Sequence, residues 1–254
     1  MKSHLGAHCD DLSASCRLSM KLDLSLDRET VLHFFDRVRR EHAGMSRFRR
    51  RHDGTLVLEE GETDPQDSIA RRWLRLEVGA LRFGYFAPPS NEAWRSFGQS
   101  LLEYAPYFLS LNDLDTDHLE VVYAFDMEYS GNHDQLVAET LFHDHPLVGF
   151  MMGEEATHVL DCQPYLGVSL SAACDVQAYL EVKSRTSTFE VRTGEYEPQI
   201  LTVYLTVRRY WGGDRQLSLT DAFTRLTVAA DNLATRRVVP LVVNPLALAI
   251  ASRP

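Results

Sequence analysis

LEVVYAFDMEYS, residues 119–130, carries the clearest strand signal in the 254-residue chain. Leu119, Val121, Tyr123, Phe125, Met127 and Tyr129 fall on one side, with Glu120, Asp126 and Glu128 among those opposite. Successive side chains of a strand point to opposite faces, so this stretch predicts one buried face and one wet face. Alternating rather than continuous apolar strands belong to antiparallel sheets covered on one side.

The same reading extends in both directions. Upstream, Leu74, Leu76 and Val78 alternate up to Gly79, and Leu81 to Phe86 continues as a second strand. Pro88-Pro89 stops it, Ser90 caps, and Trp94, Phe97, Leu101 and Tyr104 line a helix that ends at Pro106. Residues 46–60 predict a hairpin turning at Asp53-Gly54, and Glu59 to Ser68 an acidic loop. Val31, Leu32, Phe34, Phe35 and Val38 stripe a helix capped by Asp27 and closed by Gly44. Leu18 to Leu26 alternates as a strand, and residues 1–16 read as a loose polar tail.

Downstream, Asn132 or Ser130 opens a short helix through Leu136, Val137, Leu141 and Phe142. Tyr165–Leu170, Val176–Val182 and Ile200–Trp211 read as strands, Phe189–Val191 as a further rung, and Gly212-Gly213 as a turn. Ser218 or Thr220 caps a last helix striped by Leu219, Ala222, Phe223, Leu226, Ala230 and Leu233. Pro240 and Pro245 are expected to keep the apolar tail after it from forming a helix of any length. No repeat stands out at solenoid periods. The expectation is an α+β domain over residues 17–254, an antiparallel sheet with about four amphipathic helices on it. Two subdomains meeting near 145–155 would also fit this order.

From about residue 70 to 235 this order resembles a sporadically distributed group of prokaryotic proteins of about 250 residues without assigned function. The likeness rests on RRWLRLEVGALRFGYFAPPSNEAWRSFGQSLLEYAPYF, on LEVVYAFDMEYS, and on CQPYLGVSLS, ILTVYLTVRRY and LSLTDAFTRLTVAADNL. It departs in lacking an Arg-Tyr-Ile/Val-Asn run where VVYAFDMEY stands, and NPLALAIASRP overruns the final helix. The resemblance implies no catalytic residue, because the group has none assigned.

Lys plus Arg number 26 and Asp plus Glu 36, a formal net charge of -10. An acidic balance repels phosphate backbones and anionic membranes, so neither nucleic acid nor membrane is an expected partner. Cys9, Cys16, Cys162 and Cys174 form no CxxC pair and read as reduced thiols. The N-terminal residues carry no apolar run of the kind a signal peptide needs, and no window reaches the roughly 18 apolar residues of a membrane span. A soluble, cytoplasmic protein is expected.

The densest chemical cluster is His143-Asp144-His145, with His133, Asp134, Glu139 and His158 near in sequence. Imidazole and carboxylate together suit Zn, Fe or Mn, yet the cluster fails the HExxH helix pattern and precedes Pro146. It reads as a solvated loop, with His143, His145, Asp144 and His158 as the alternative metal set. Gly167-Val168-Ser169-Leu170-Ser171 lacks the second glycine of a nucleophile elbow. Cys162 beside Asp161 and His158 reads as an inert thiol, and Glu154-Glu155 has no visible partner. Neither GxGxxG nor GxxxxGKS/T occurs. Arg47-Phe48-Arg49-Arg50-Arg51-His52 is expected to pair with Glu59, Glu60 and Glu62 across the hairpin rather than grip phosphates.

The reading these residues favour is a cytosolic binding or interaction module for a protein or small molecule. It needs no cofactor and assigns no catalytic residue. The alternative is a metal-assisted hydrolase using the His143/His145 region.

Overall fold

A computed structural model describes residues 5–61, 70–112, 114–151, 158–211 and 217–253. The predicted strand at 119–130 is β6, Thr116–Tyr129. β1 (Asp11–Met20) pairs antiparallel with one edge of it, and β9 (Gln199–Tyr210) with the other. Outward from β1 lie β5 (Ala80–Phe86), β4 (Arg71–Glu77), β3 (Leu56–Glu59) and β2 (Arg47–Arg50). Outward from β9 lie β8 (Val176–Lys183) and β7 (Tyr165–Ser169). The result is one nine-stranded antiparallel sheet in an α+β fold. It runs unbroken from one side of residues 145–155 to the other.

Four main helices follow the predicted caps. They are α1 (Arg28–Glu41), α2 (Asn91–Phe108), α3 (His133–Leu141) and α6 (Leu219–Leu233). Asp27, Ser90, Asn132 and Ser218 each accept a backbone N–H of the first turn, satisfying donors that a helix start leaves orphaned. α2 passes through Pro106 to Phe108 rather than ending there. Short helices α4 (Pro146–Met151), α5 (Thr188–Thr193) and α7 (Asn244–Ala251) complete the set among the described residues.

The core lies between the sheet and the helices. Leu18, Leu81, Phe83, Leu119, Phe125 and Val203 are fully buried from the sheet side. The rings of Phe83, Trp94 and Phe223 lie 5.4 to 5.9 Å apart, joining β5 to α2 and α6. Beside them the Tyr123 hydroxyl donates to Asp231 Oδ1 at 2.8 Å. Asn91 donates to the same oxygen, and Arg95 pairs with the other. That partly buried knot ties α2, α6 and β6 together.

Three expectations are corrected. Residues 11–16, read as part of a tail, are the first half of the central strand β1, with Leu12, Ala14 and Cys16 buried. Serines on the wet face make the segment look polar, while residues 21–27, whose leucines alternate, lie outside any strand. The rung at Phe189–Val191 is helix α5, because Ser187 and Glu190 form a capping box and Gly194 ends the turn at φ 73°. The apolar tail is also helical. α6 continues through a π-helical segment, Ala234–Val243, into α7, so Leu219–Ala251 is one helix of 33 residues. Wider i→i+5 turns re-route the backbone bonds around Pro240, and Pro245 lies within the continuous helix just past that segment. This helix has the length and composition of a membrane span, with a window of mean hydropathy 1.4. Ala222, Phe223, Leu226, Ala230, Val243 and Leu246 along it are nevertheless buried in the domain.

The element order repeats. β1-α1-β2-β3-β4-β5-α2 is followed by β6-α3-α4-β7-β8-α5-β9-α6. In each half the first strand pairs with the last (β1 with β5, β6 with β9), and the next two outward are β4 and β3, or β8 and β7. The halves join through β1 and β6, and α2 packs on α6. The first half has one more strand, β2, at its outer edge.

Candidate anion-binding face

α2, α6 and the π-helical segment reach the sheet on the side of Phe83, Tyr123 and Leu205. No described helix lies over the opposite side. Strand alternation sends Arg17 there from β1, Arg75 from β4 and Arg82 from β5. The register aligns them, Arg75 opposite Arg82 and Arg82 opposite Arg17. Three guanidinium groups thus stand on neighbouring strands, spaced about 4.8 Å apart along the sheet. Like charges directly opposite one another destabilise a sheet.

Little offsets them. The carboxylate opposite Arg17 is Glu120, and Arg208 holds it through Nε at 2.9 Å and Nη2 at 2.7 Å. Glu77 lies 3.3 Å from Arg82 Nε but outside hydrogen-bond geometry. Arg17 and Arg75 have no ion-pair partner among the described residues. The Nε atoms of Arg17, Arg75 and Arg82 are all buried without a hydrogen-bond partner, as is Ser19 Oγ. Burial, then the positive Arg51 and Arg82, hold the Arg75 pKa below its ordinary value against the opposing pull of Glu77 and Glu59. Buried polar groups are nearly always paired, so three such Nε atoms in line leave hydrogen-bonding capacity for an anion, with Glu77 beside Arg82 and the pull of Glu77 and Glu59 on Arg75 as partial counter-charge.

A second row runs beside the first. Trp73, Gly84, Ser15, Val122, Thr206 and Tyr179 are opposite one another in turn across six strands. Trp73 lies across Gly84 so closely that a Cβ there would sit 2.5 Å from its ring. Tyr179 lies across Gly167 of β7 in the same way. Arg75 stacks 4.5 Å from the Trp73 ring centre, and Arg208 5.5 Å from that of Tyr179. Each half of the repeat therefore presents a flat aromatic ring with an arginine against it.

The residues singled out from sequence fall elsewhere. His143 and Asp144 are exposed and 2.8 Å apart, His145 is exposed with its ring 6.1 Å from Phe142, and His158 is exposed on a separate loop. No group of three or more His, Cys, Asp or Glu among the described residues is placed to hold a metal. Asp134 is structural, accepting Cys162 N–H at 2.8 Å and the Ser184 hydroxyl at 2.6 Å. Burial, then Asp134 and Asp161, push the Cys162 thiol up, away from a reactive thiolate. Ser169 is on strand β7 and donates to the Ser171 carbonyl at 2.6 Å. Arg47 and Arg49 both reach Glu59, and Arg72 rather than the basic run takes Glu60. Glu62, Glu154-Glu155 and Gly212-Gly213 lie outside the described residues.

A groove of about 380 Å³ lies at the other end of the sheet, between β7, β8 and the π-helical segment. Leu166, Val168, Leu170, Leu180 and Leu241 line it, with Arg237 as its charged member. Sequence reasoning missed the arginine row because its members are far apart in the chain and meet only through strand order. The available signal was an arginine in the wet-face position of two alternating strands, at Arg75 and Arg82, since the strand that carries Arg17 is faint in the sequence. No protein-family model and no curated protein matches this chain.

Proposed function

We propose that the chain is a non-catalytic, cytosolic binding module that holds an anionic ligand on the helix-free face of its sheet. The observation that carries this reading is the Arg75–Arg82–Arg17 row, whose buried Nε atoms have no hydrogen-bond partner among the described residues. An anion bridging neighbouring guanidinium groups removes their mutual repulsion and supplies the missing acceptors, through charge-assisted bonds of the stronger kind. Four free cysteines accord with a reducing compartment.

Calorimetry with inorganic tripolyphosphate at low salt tests the reading. Binding is expected, weakened at least tenfold in an Arg17→Gln, Arg82→Gln double variant and weakened by added salt. No heat of binding to the wild-type protein, or equal affinity in the double variant, removes this reading.

A further inference from the structure

We infer that the anion is the backbone of a single-stranded nucleic acid, laid across the strands with its bases stacked at Trp73 and Tyr179. The inference rests on the anion-binding reading above and adds to it the aromatic row. Phosphates alone ask for charge; flat rings beside that charge ask for a ligand with π faces. Trp73 and Tyr179 are held flat by the glycines beneath them, and each already stacks a guanidinium, the arrangement in which unpaired bases are gripped. They stand five strand spacings apart, roughly 24 Å. Beyond Gly84, which the Trp73 ring covers, Ser15, Val122 and Thr206 lie between the two rings, and an extended strand can lie over them.

The arginine row borders that path along one side, with Arg82 and Arg17 midway between the two rings. Charge is divided unevenly. The first half's open face carries Arg17, Arg47, Arg49, Arg71, Arg75 and Arg82 against Asp11, Glu59 and Glu77 there, although the chain as a whole is at -10. A duplex hides its base faces and offers nothing to Trp73 or to Tyr179, whose ring is stacked with Tyr165 at 5.7 Å, which favours a single strand. The basic run at 47–52 is not part of this surface as a free cluster, because Arg47 and Arg49 are turned to Glu59. The sequence expectation of no nucleic-acid partner rested on net charge and on that run, and neither bears on the row at 17, 75 and 82.

Fluorescence anisotropy with labelled pyrimidine oligonucleotides of about 12 nucleotides, within the usual range of such sites, provides the test. Single-stranded DNA, single-stranded RNA, the DNA duplex and tripolyphosphate are compared on the full chain at low and moderate salt. Micromolar binding of a single strand is expected, tighter than the duplex, and the DNA and RNA arms decide which sugar is preferred. Tyr179→Ala should weaken it about tenfold while leaving tripolyphosphate affinity unchanged. Trp73→Phe keeps a stacking ring and a folded protein. It should bind nearly as well as wild type but lose the quenching of tryptophan emission that the wild type shows on binding. Tripolyphosphate binding without tighter single-strand binding overturns this inference and leaves the anion reading standing. A duplex bound more tightly, or Tyr179→Ala without effect on the oligonucleotide, also overturns it. Failure of both ligands overturns both readings.

Discussion

Arg17 stands between a like charge on one neighbouring strand, Arg82, and a carboxylate on the other that is already engaged with Arg208. Its charge therefore costs the unliganded fold something and returns nothing to it. Arg17→Gln is expected to raise stability by about 0.2–1 kcal/mol, the range of cross-strand pair terms, while weakening anion binding. A urea midpoint that falls in this variant would show that Arg17 is a structural residue. His133 illustrates the opposite case, a titratable group fully used by the fold. Its Nε2 donates to the Tyr129 carbonyl at 3.2 Å and its Nδ1 accepts the Arg185 N–H at 3.4 Å, an arrangement that suits the neutral ring. Burial lowers its pKa against the opposing pull of the Tyr129 carbonyl, Asp134 and Glu190, and burial lowers His42 likewise. The unfolded chain then binds more protons than the folded one as pH falls below about 6.5, so stability declines on acidification and levels off below the folded values. Urea midpoints at pH 7.5 and pH 5.5 measure the decline, which should shrink in His133→Gln; an unchanged decline would place its origin elsewhere.

At the scale of elements, alternation was readable wherever one face is buried and the other wet. β4, β5, β6, β8 and β9 all lie where the sequence predicts them, as do α1, α2, α3 and α6 with their caps. The misreadings have two causes. β1 sits in the middle of the sheet, yet its wet face is serine and its buried face includes Ala14 and Cys16, so its apolar signal is faint. Leu22, Leu24 and Leu26 alternate more visibly just beyond its end, where they form no strand. Proline rules describe α-helical hydrogen bonding, and the segment around Pro240 adopts π-helical turns instead. The site was the least legible part, since a register joining β4, β5 and β1 is a property of strand order. Placing residues 11–16 in β1 makes a sharp expectation. A chain shortened to begin at Arg17 loses half of the strand that joins the two halves, and near-ultraviolet circular dichroism should show no cooperative unfolding. A variant that melts like the full chain would contradict the pairing of Asp11–Cys16 with β6.

Across the whole molecule the repeated halves divide their duties. The first contributes the arginine row, while the second pairs Arg208 with Glu120 and gives Asp126 a hydrogen bond from the Thr202 hydroxyl. Both supply a flat ring at matching strand positions, β4 and β8, so the face is symmetric in shape and lopsided in charge. A ligand on such a face has a preferred direction of entry, its most anionic part toward β4, β5 and β1. The same lopsidedness appears at the two rims of the sheet. β2 ends it with Arg47, Arg49 and Arg50 exposed, charges that keep another strand away. β7 ends it with Tyr165, Leu166 and Val168 exposed, and among the described residues no strand pairs with its outer side. A sheet able to accept strands at both rims could lengthen without limit, copy after copy. One that accepts them at a single rim can only join like to like, and growth stops at two by rotational symmetry. Light scattering at rising protein concentration should accordingly pass from monomer toward dimer and no further, with Val168→Lys holding the chain as monomer. A ladder of larger species would mean that the arginine rim is no barrier.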